Sequence, residues 1–120
     1  MINIGTDIIE IDRIRALIAR FPDHFYHRVL TEKEQKYCLT HRDPAVRCAG
    51  RFCAKEAIVK ALGTGIGKEV GWNDIEILNN EKGAPVVFLS DRVMKSFQNP
   101  RITLSISHSK TVAMAVATWE

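Results

Sequence analysis

The chain has 120 residues, 46% of them hydrophobic and 26% charged, with a formal net charge of +3. This composition supports one domain spanning residues 1–120 with an apolar core, and it excludes an intrinsically disordered chain. No apolar run approaches the roughly 18 residues a membrane span needs, and Met1 to Gly5 lacks the pattern of a secretory leader. Membrane and secreted classes are therefore set aside, and a cytoplasmic chain is expected.

Ile2 to Ile9 is a short apolar run with β-branched residues and reads as a strand. Ile11, Ile14, Leu17 and Ile18 then recur at helical spacing, until Pro22-Asp23 interrupts them. Thr31-Glu32-Lys33-Glu34 is a capping box, which predicts a helix from Thr31 ending before Pro44. A longer helix is expected from Ala45 to Leu62, with Gly63 as its stop. On its wheel Phe52, Glu56, Val59 and Lys60 share a face with Ala49 and Cys53, and a carboxylate in so apolar a stripe is unusual. A plain Glu56–Lys60 pair at i,i+4 spacing would also account for it. Downstream, Trp72–Leu78 and Pro85–Leu89 read as strands around a turn, and Ser90-Asp91 caps a short helix through Phe97. Ile102, Leu104 and Ile106, then Val112, Met114 and Val116, alternate as two antiparallel strands joined through Ser107–Lys110. The fold class expected is α+β: a long central helix on a small, mostly antiparallel sheet.

Charge is uneven along this order. Between Arg13 and Lys55 stand ten Lys or Arg against four acids, with His24, His27 and His41 added. Such a block suits an anionic partner or an ordinary solvated helical surface. Cys38, Cys48 and Cys53 lack zinc-finger spacing and read as small core residues.

Few residues suggest chemistry. Asp7 follows Gly5-Thr6 near a strand end, and Glu56 lies on the long helix. Two carboxylates without thiolate or imidazole spacing suit a hard cation such as Mg²⁺, although Asp7 is equally a turn or cap residue. Gly63-Thr64-Gly65-Ile66-Gly67-Lys68 is not a P-loop: Leu62 and Glu69 stand where Gly and Ser or Thr are needed, and the segment follows a helix. Its glycines still permit a close backbone approach to phosphates. His108 between Ser107 and Ser109 suits acid–base work, a phosphate contact or a plain turn. Arg28 and Arg51 suit ion pairs or phosphate forks.

Together these residues resemble the acyl carrier protein synthases, the small phosphopantetheinyl transferases of fatty-acid synthesis. The matching motifs are Gly5-Thr6-Asp7-Ile8-Ile9-Glu10, Phe25–Arg28 with Val29-Leu30-Thr31 and Glu34, and Ala49-Gly50-Arg51-Phe52 with Lys55-Glu56-Ala57, Lys60-Ala61 and Gly63-Thr64-Gly65. Trp72, Asp74–Ile77, Gly83, Pro85 and Ser105–Ser109 continue the likeness, which runs in order from Ile4 to Ala117. One departure is Ala84, where the family often carries Lys or Arg.

The resemblance implies transfer of the phosphopantetheine arm of coenzyme A to a serine of apo acyl carrier protein, with adenosine bisphosphate released. It implies Mg²⁺, or Mn²⁺, held by Asp7 and Glu56, and Lys60 adding positive charge at the pyrophosphate. Arg51, Gly63, Thr64, Gly65 and His108 would contact coenzyme A. The serine's base is left open between Glu56, Asp7 and a water on the metal. Arg13, Arg15, Arg20 and Arg28, with Phe21 and Phe25, would dock the acidic carrier protein. A homotrimer with active sites between subunits is also implied, with no nucleic acid and no membrane among the partners. The competing class is a non-enzymatic basic module, which would leave Asp7, Glu56, the glycine segment and His108 unused.

Overall fold

The computed structural model describes residues 1–120. In chain order it contains β1 (Asn3–Glu10), α1 (Ile11–Arg20), α2 (Pro22–Val29), α3 (Glu32–Leu39), α4 (Pro44–Leu62), β2 (Ile75–Asn79), β3 (Pro85–Leu89), α5 (Asp91–Ser96), β4 (Ile102–His108) and β5 (Val112–Trp119). One antiparallel sheet has the order β1-β5-β4, and β2 and β3 form a separate antiparallel hairpin. This is the α+β arrangement expected, with α4 packed against β1, β5 and β4.

Small residues let α4 and the sheet approach at backbone distance. Alternation along β5 turns Ala113, Ala115 and Ala117, all fully buried, toward the core. Ala49, Ala54, Ala57 and Ala61 of α4 are buried as well, and the Cys53 thiol donates to the Ala113 carbonyl at 3.4 Å. Gly5 marks the closest approach. A Cβ there would lie 2.1 Å from the Ala57 carbonyl oxygen and 2.6 Å from the Ala61 nitrogen.

Helix ends follow local chemistry. Thr31 and Glu34 form the capping box, with the Thr31 hydroxyl accepting from Glu34 N–H and the Glu34 carboxylate from Thr31 N–H. Asp43 caps α4, Pro44 opens it, and Gly63 closes it in the left-handed region at φ 82°. All three cysteines are free and fully buried.

Three details differ from the sequence reading. Pro22 does break α1, but it also opens α2, because proline fits the first position of a helix. Trp72–Asp74 is a single 3₁₀ turn rather than the start of β2, since the Asp74 carboxylate folds back to accept from Gly71 N–H at 2.7 Å. Ser90 makes no side-chain cap to α5, and its hydroxyl instead donates to Asp74 at 2.7 Å.

A charge pair lies at the centre. Lys55 and Glu34 are both fully buried, with Nζ 2.6 Å from Oε1. The ammonium also donates to the carbonyls of Val29 at 2.7 Å and Trp72 at 3.0 Å, while the other Glu34 oxygen accepts from Ile77 N–H at 2.8 Å. One side chain of α4 thereby fixes the end of α2, the start of α3 and the entry to β2. No helix is long and apolar enough to cross a membrane.

Candidate active site

Strand alternation puts Gly5, Asp7 and Ile9 on the face of β1 that packs toward α4. The close contact at Gly5 thus delivers Asp7, two residues on, to the helical turn carrying Glu56 and Lys60. Lys60 turns to β1 rather than to Glu56: its ammonium donates to Asp7 Oδ1 at 3.1 Å and to the Thr6 carbonyl at 2.9 Å. Asp7 and Glu56 line one cavity of about 450 Å³, together with Ile9, Arg13, Leu17, Phe52 and Val112.

The two carboxylates feel each other's charge. Partial burial raises the Glu56 carboxyl above its ordinary value, the Asp7 charge raises it further, and Lys60 opposes both. The Cys53 thiol beneath is pushed up to about 12, first by burial and then by Asp7, so it stays protonated. Without a cation, Glu56 therefore favours its neutral form more in the folded than in the unfolded chain. A carboxyl raised on folding contributes its stability below the unfolded-state value and loses it as pH rises through the folded value. Accordingly, Glu56→Gln should raise the thermal midpoint in chelator near neutral pH. That gain should vanish below about pH 4; fluorimetric melting across this range checks both signs.

The donor set fits a hard divalent cation: two carboxylates on opposed elements, facing a cavity with room for substrate oxygens and water. Glu10 lines the same cavity, but no three His, Cys, Asp or Glu are placed together to hold an ion, so oxygens beyond Asp7 and Glu56 would complete its shell.

The other anticipated residues divide into groups. Lys60 and Gly63 line a second hollow of about 480 Å³ beside Ile4 and Trp119, and the exposed Gly65 follows at φ 67°. Arg13 reaches the carboxylate cavity. Phe21, Phe25 and Arg28 line an adjoining, mostly apolar groove of about 290 Å³, which shares Leu17 and Phe52 with that cavity. Arg20 stacks over the Phe21 ring at 5.3 Å. Arg15 is engaged elsewhere, by Asp12 and by Asp43 at 2.5 Å. Arg51 is buried against the Tyr37 ring at 4.3 Å and donates to Asn79 at 2.8 Å. His108 closes β4 as an exposed residue. Neither Arg51 nor His108 lines the carboxylate cavity of its own chain.

Sequence reasoning passed over Leu17 and Trp72, which complete the groove with Phe52; the Phe52 and Trp72 rings lie 5.1 Å apart. Leu17 carried a signal, since it stands one turn after Arg13 on the same helical face.

Comparisons with known proteins identify the family. Residues 3–117 match the 4'-phosphopantetheinyl transferase superfamily, and the chain belongs to it. Within that class it is a member of the holo-[acyl-carrier-protein] synthases, which makes it a transferase. It is 48% identical over 118 residues to the holo-[acyl-carrier-protein] synthase of Protochlamydia amoebophila, covering 98% of this chain and 97% of that one. The holo-(acyl-carrier-protein) synthase of Bacillus anthracis, solved in complex with CoA (3',5'-ADP), superposes with a TM-score of 0.84 at 41% identity, over 98% of this chain and 95% of that one. The holo-[acyl-carrier-protein] synthase of Helicobacter pylori in complex with coenzyme A gives 0.89 at 40% identity, over 98% and 99%.

Proposed function

We propose that this chain transfers the 4'-phosphopantetheine arm of coenzyme A to a serine of apo acyl carrier protein and releases adenosine 3',5'-bisphosphate, using Mg²⁺, or Mn²⁺, at Asp7 and Glu56. The observation that carries this reading is the meeting of Asp7, Glu56 and Lys60 at one cavity that opens beside an apolar, arginine-edged groove. The coenzyme A complexes of the two related synthases support the donor.

In this reading the serine oxygen attacks the phosphorus that bears pantetheine, and the bond to the adenosine-side phosphate breaks. The cation supplies charge neutralisation to the pyrophosphate and the leaving phosphate. Lys60, already held at Asp7, adds a fixed positive charge. The serine proton passes to one of the groups at this cavity: Glu56, Asp7 or a water beside them. Gly63, Thr64 and Gly65 let the backbone approach the phosphates.

Arg13, Arg20 and Arg28 present charge around Phe21 and Phe25, the combination that steers and seats an acidic protein. Arg15, tied to Asp43, serves that face by fixing α1 against the start of α4.

His108 is exposed outside its own chain's cavity, so its contact to coenzyme A belongs to a neighbour's site in a homotrimer, whereas Arg51, buried against Tyr37 and bonded to Asn79, braces α4 instead of reaching the coenzyme. The outward sheet face suits such packing: Ile4 and Ile8 of β1 and Met114 of β5 are 65%, 66% and 38% exposed. Nothing in this reading calls on a nucleic acid or a membrane, and a cytoplasmic location goes with it.

Incubation with coenzyme A, Mg²⁺ and apo carrier protein should add the arm's mass to the carrier. Asp7→Asn should lower that rate by about 100-fold or more. Arg13→Glu should raise KM for the carrier and leave that for coenzyme A unchanged. No mass gain with either metal would reject the enzyme reading.

A further inference from the structure

We propose that Arg92 and Asp74 form a latch that holds the Gly63–Gly71 loop in the shape that receives coenzyme A, which makes both of them positioning residues for the transfer. The inference rests on the reading that this loop approaches the coenzyme A phosphates.

The loop has little structure of its own. It leaves α4 through Gly63 at φ 82° and turns again at Gly65 at φ 67°, and nothing lies within 4 Å of where a Cβ would stand at Gly63, Gly65 or Gly67. Its internal ties are Gly67 N–H to the Val70 carbonyl at 2.9 Å and the Thr64 hydroxyl to the Gly65 carbonyl at 2.8 Å. Order in its second half comes from outside: Val70 is fully buried in the core, and polar contacts hold the backbone on either side of it. Asp74 accepts from Gly71 N–H at 2.7 Å, from the Ser90 hydroxyl at 2.7 Å, and from Arg92 through Nε at 3.0 Å and Nη2 at 2.5 Å. The remaining Arg92 nitrogen, Nη1, donates to the Lys68 carbonyl at 2.9 Å.

One planar guanidinium therefore clamps a carboxylate with two donors and the loop with a third. An ammonium is a point charge and cannot reproduce that fork. Asp74 stays ionised throughout the working range, because Arg92 first, then Ser90 and Gly71, hold its carboxyl at about 2.

The side chain of Arg92 is 56% exposed, and ion pairs at such sites contribute little to global stability. The effect of the latch is expected in ligand binding, since a loop that must be ordered on binding weakens affinity. In the full chain, Arg92→Ala should raise both the calorimetric Kd and the KM for coenzyme A roughly tenfold. The KM for carrier protein and the thermal midpoint should stay where they are, and amide hydrogen exchange should speed up within residues 64–71. Arg92→Lys should recover only part of the affinity.

Unchanged exchange in the loop, or faster exchange with unchanged coenzyme A affinity, would overturn the latch. So would equal rises in both KM values together with a lowered midpoint, which would mark a merely structural pair. A wild-type chain that binds coenzyme A and transfers nothing would defeat the transferase reading instead, and the exchange and Kd comparison would still decide the latch.

Discussion

Lys55→Met is expected to lower the stability of the chain by about 3–5 kcal/mol, the cost of leaving a buried charge without its partner. Few single changes in this protein should cost more. Glu34 and Lys55 are both fully buried, so water cannot replace the lost ammonium at Glu34. The carbonyls of Val29 and Trp72 lose a donor in the same step. For a domain with the usual 5–15 kcal/mol of total stability, that is a large share. Adding Glu34→Gln should recover part of the loss, because a neutral amide needs no counter-charge and can still serve Thr31 or Ile77 N–H. Urea unfolding of the two single variants and the double variant measures this as a coupling energy. Strictly additive losses would show that the two charges do not act as a pair.

The second large effect is expected at Gly5. A methyl group there would meet backbone atoms of α4 at 2.1 and 2.6 Å, so no truncation of a neighbouring side chain makes room. Gly5→Ala must lift β1 off the helix, at about 3 kcal/mol or more. The shift carries Asp7 with it, away from Glu56 and Lys60. Misplacement of a catalytic group by about 1 Å costs on the order of 100-fold in rate, so the folded fraction should show a transfer rate reduced by that much. By contrast Gly67→Ala, where an added Cβ meets nothing within 4 Å, should leave stability within about 0.5 kcal/mol. Thermal melting of the two variants beside a transfer assay of Gly5→Ala separates the structural and the positional effects.

Much of this was legible in the sequence because it depends on local chemistry. The Thr31–Glu34 box, the Pro44 start and Gly63 stop of α4, and the alternation of β4 and β5 are readable from neighbours along the chain. The face of α4 bearing Phe52, Glu56 and Lys60 was equally visible on a helical wheel. What periodicity could not supply was pairing across distance. Nothing in the spacing says that Lys60 reaches Asp7 rather than Glu56, since both give an oxygen at plausible range. Lys55 and Glu34 read as surface residues by type, and only the closure of α3, α4 and β2 around them makes them central. Trp72 stands at the head of a segment that reads as strand, but the backbone there answers to Asp74 and Lys55. The likeness to a known family supplied the pairing of Asp7 with Glu56 that spacing left open, and the shared cavity now gives it a geometric basis.

The strand order β1-β5-β4 has a consequence for how the protein is made. The only sheet neighbour of β1, the strand that carries Asp7, is β5, at the far end of the chain. During synthesis the first strand leaves the ribosome with its pairing edge open and waits for Val112–Trp119 before it can join a sheet. Helix α4 can form earlier and offer Glu56, but the register that sets Asp7 opposite Ala115 exists only once the final strand has emerged. A nascent or prematurely ended chain therefore carries both carboxylates without their shared cavity. The carboxylate site of this protein is therefore assembled by the β1–β5 pairing.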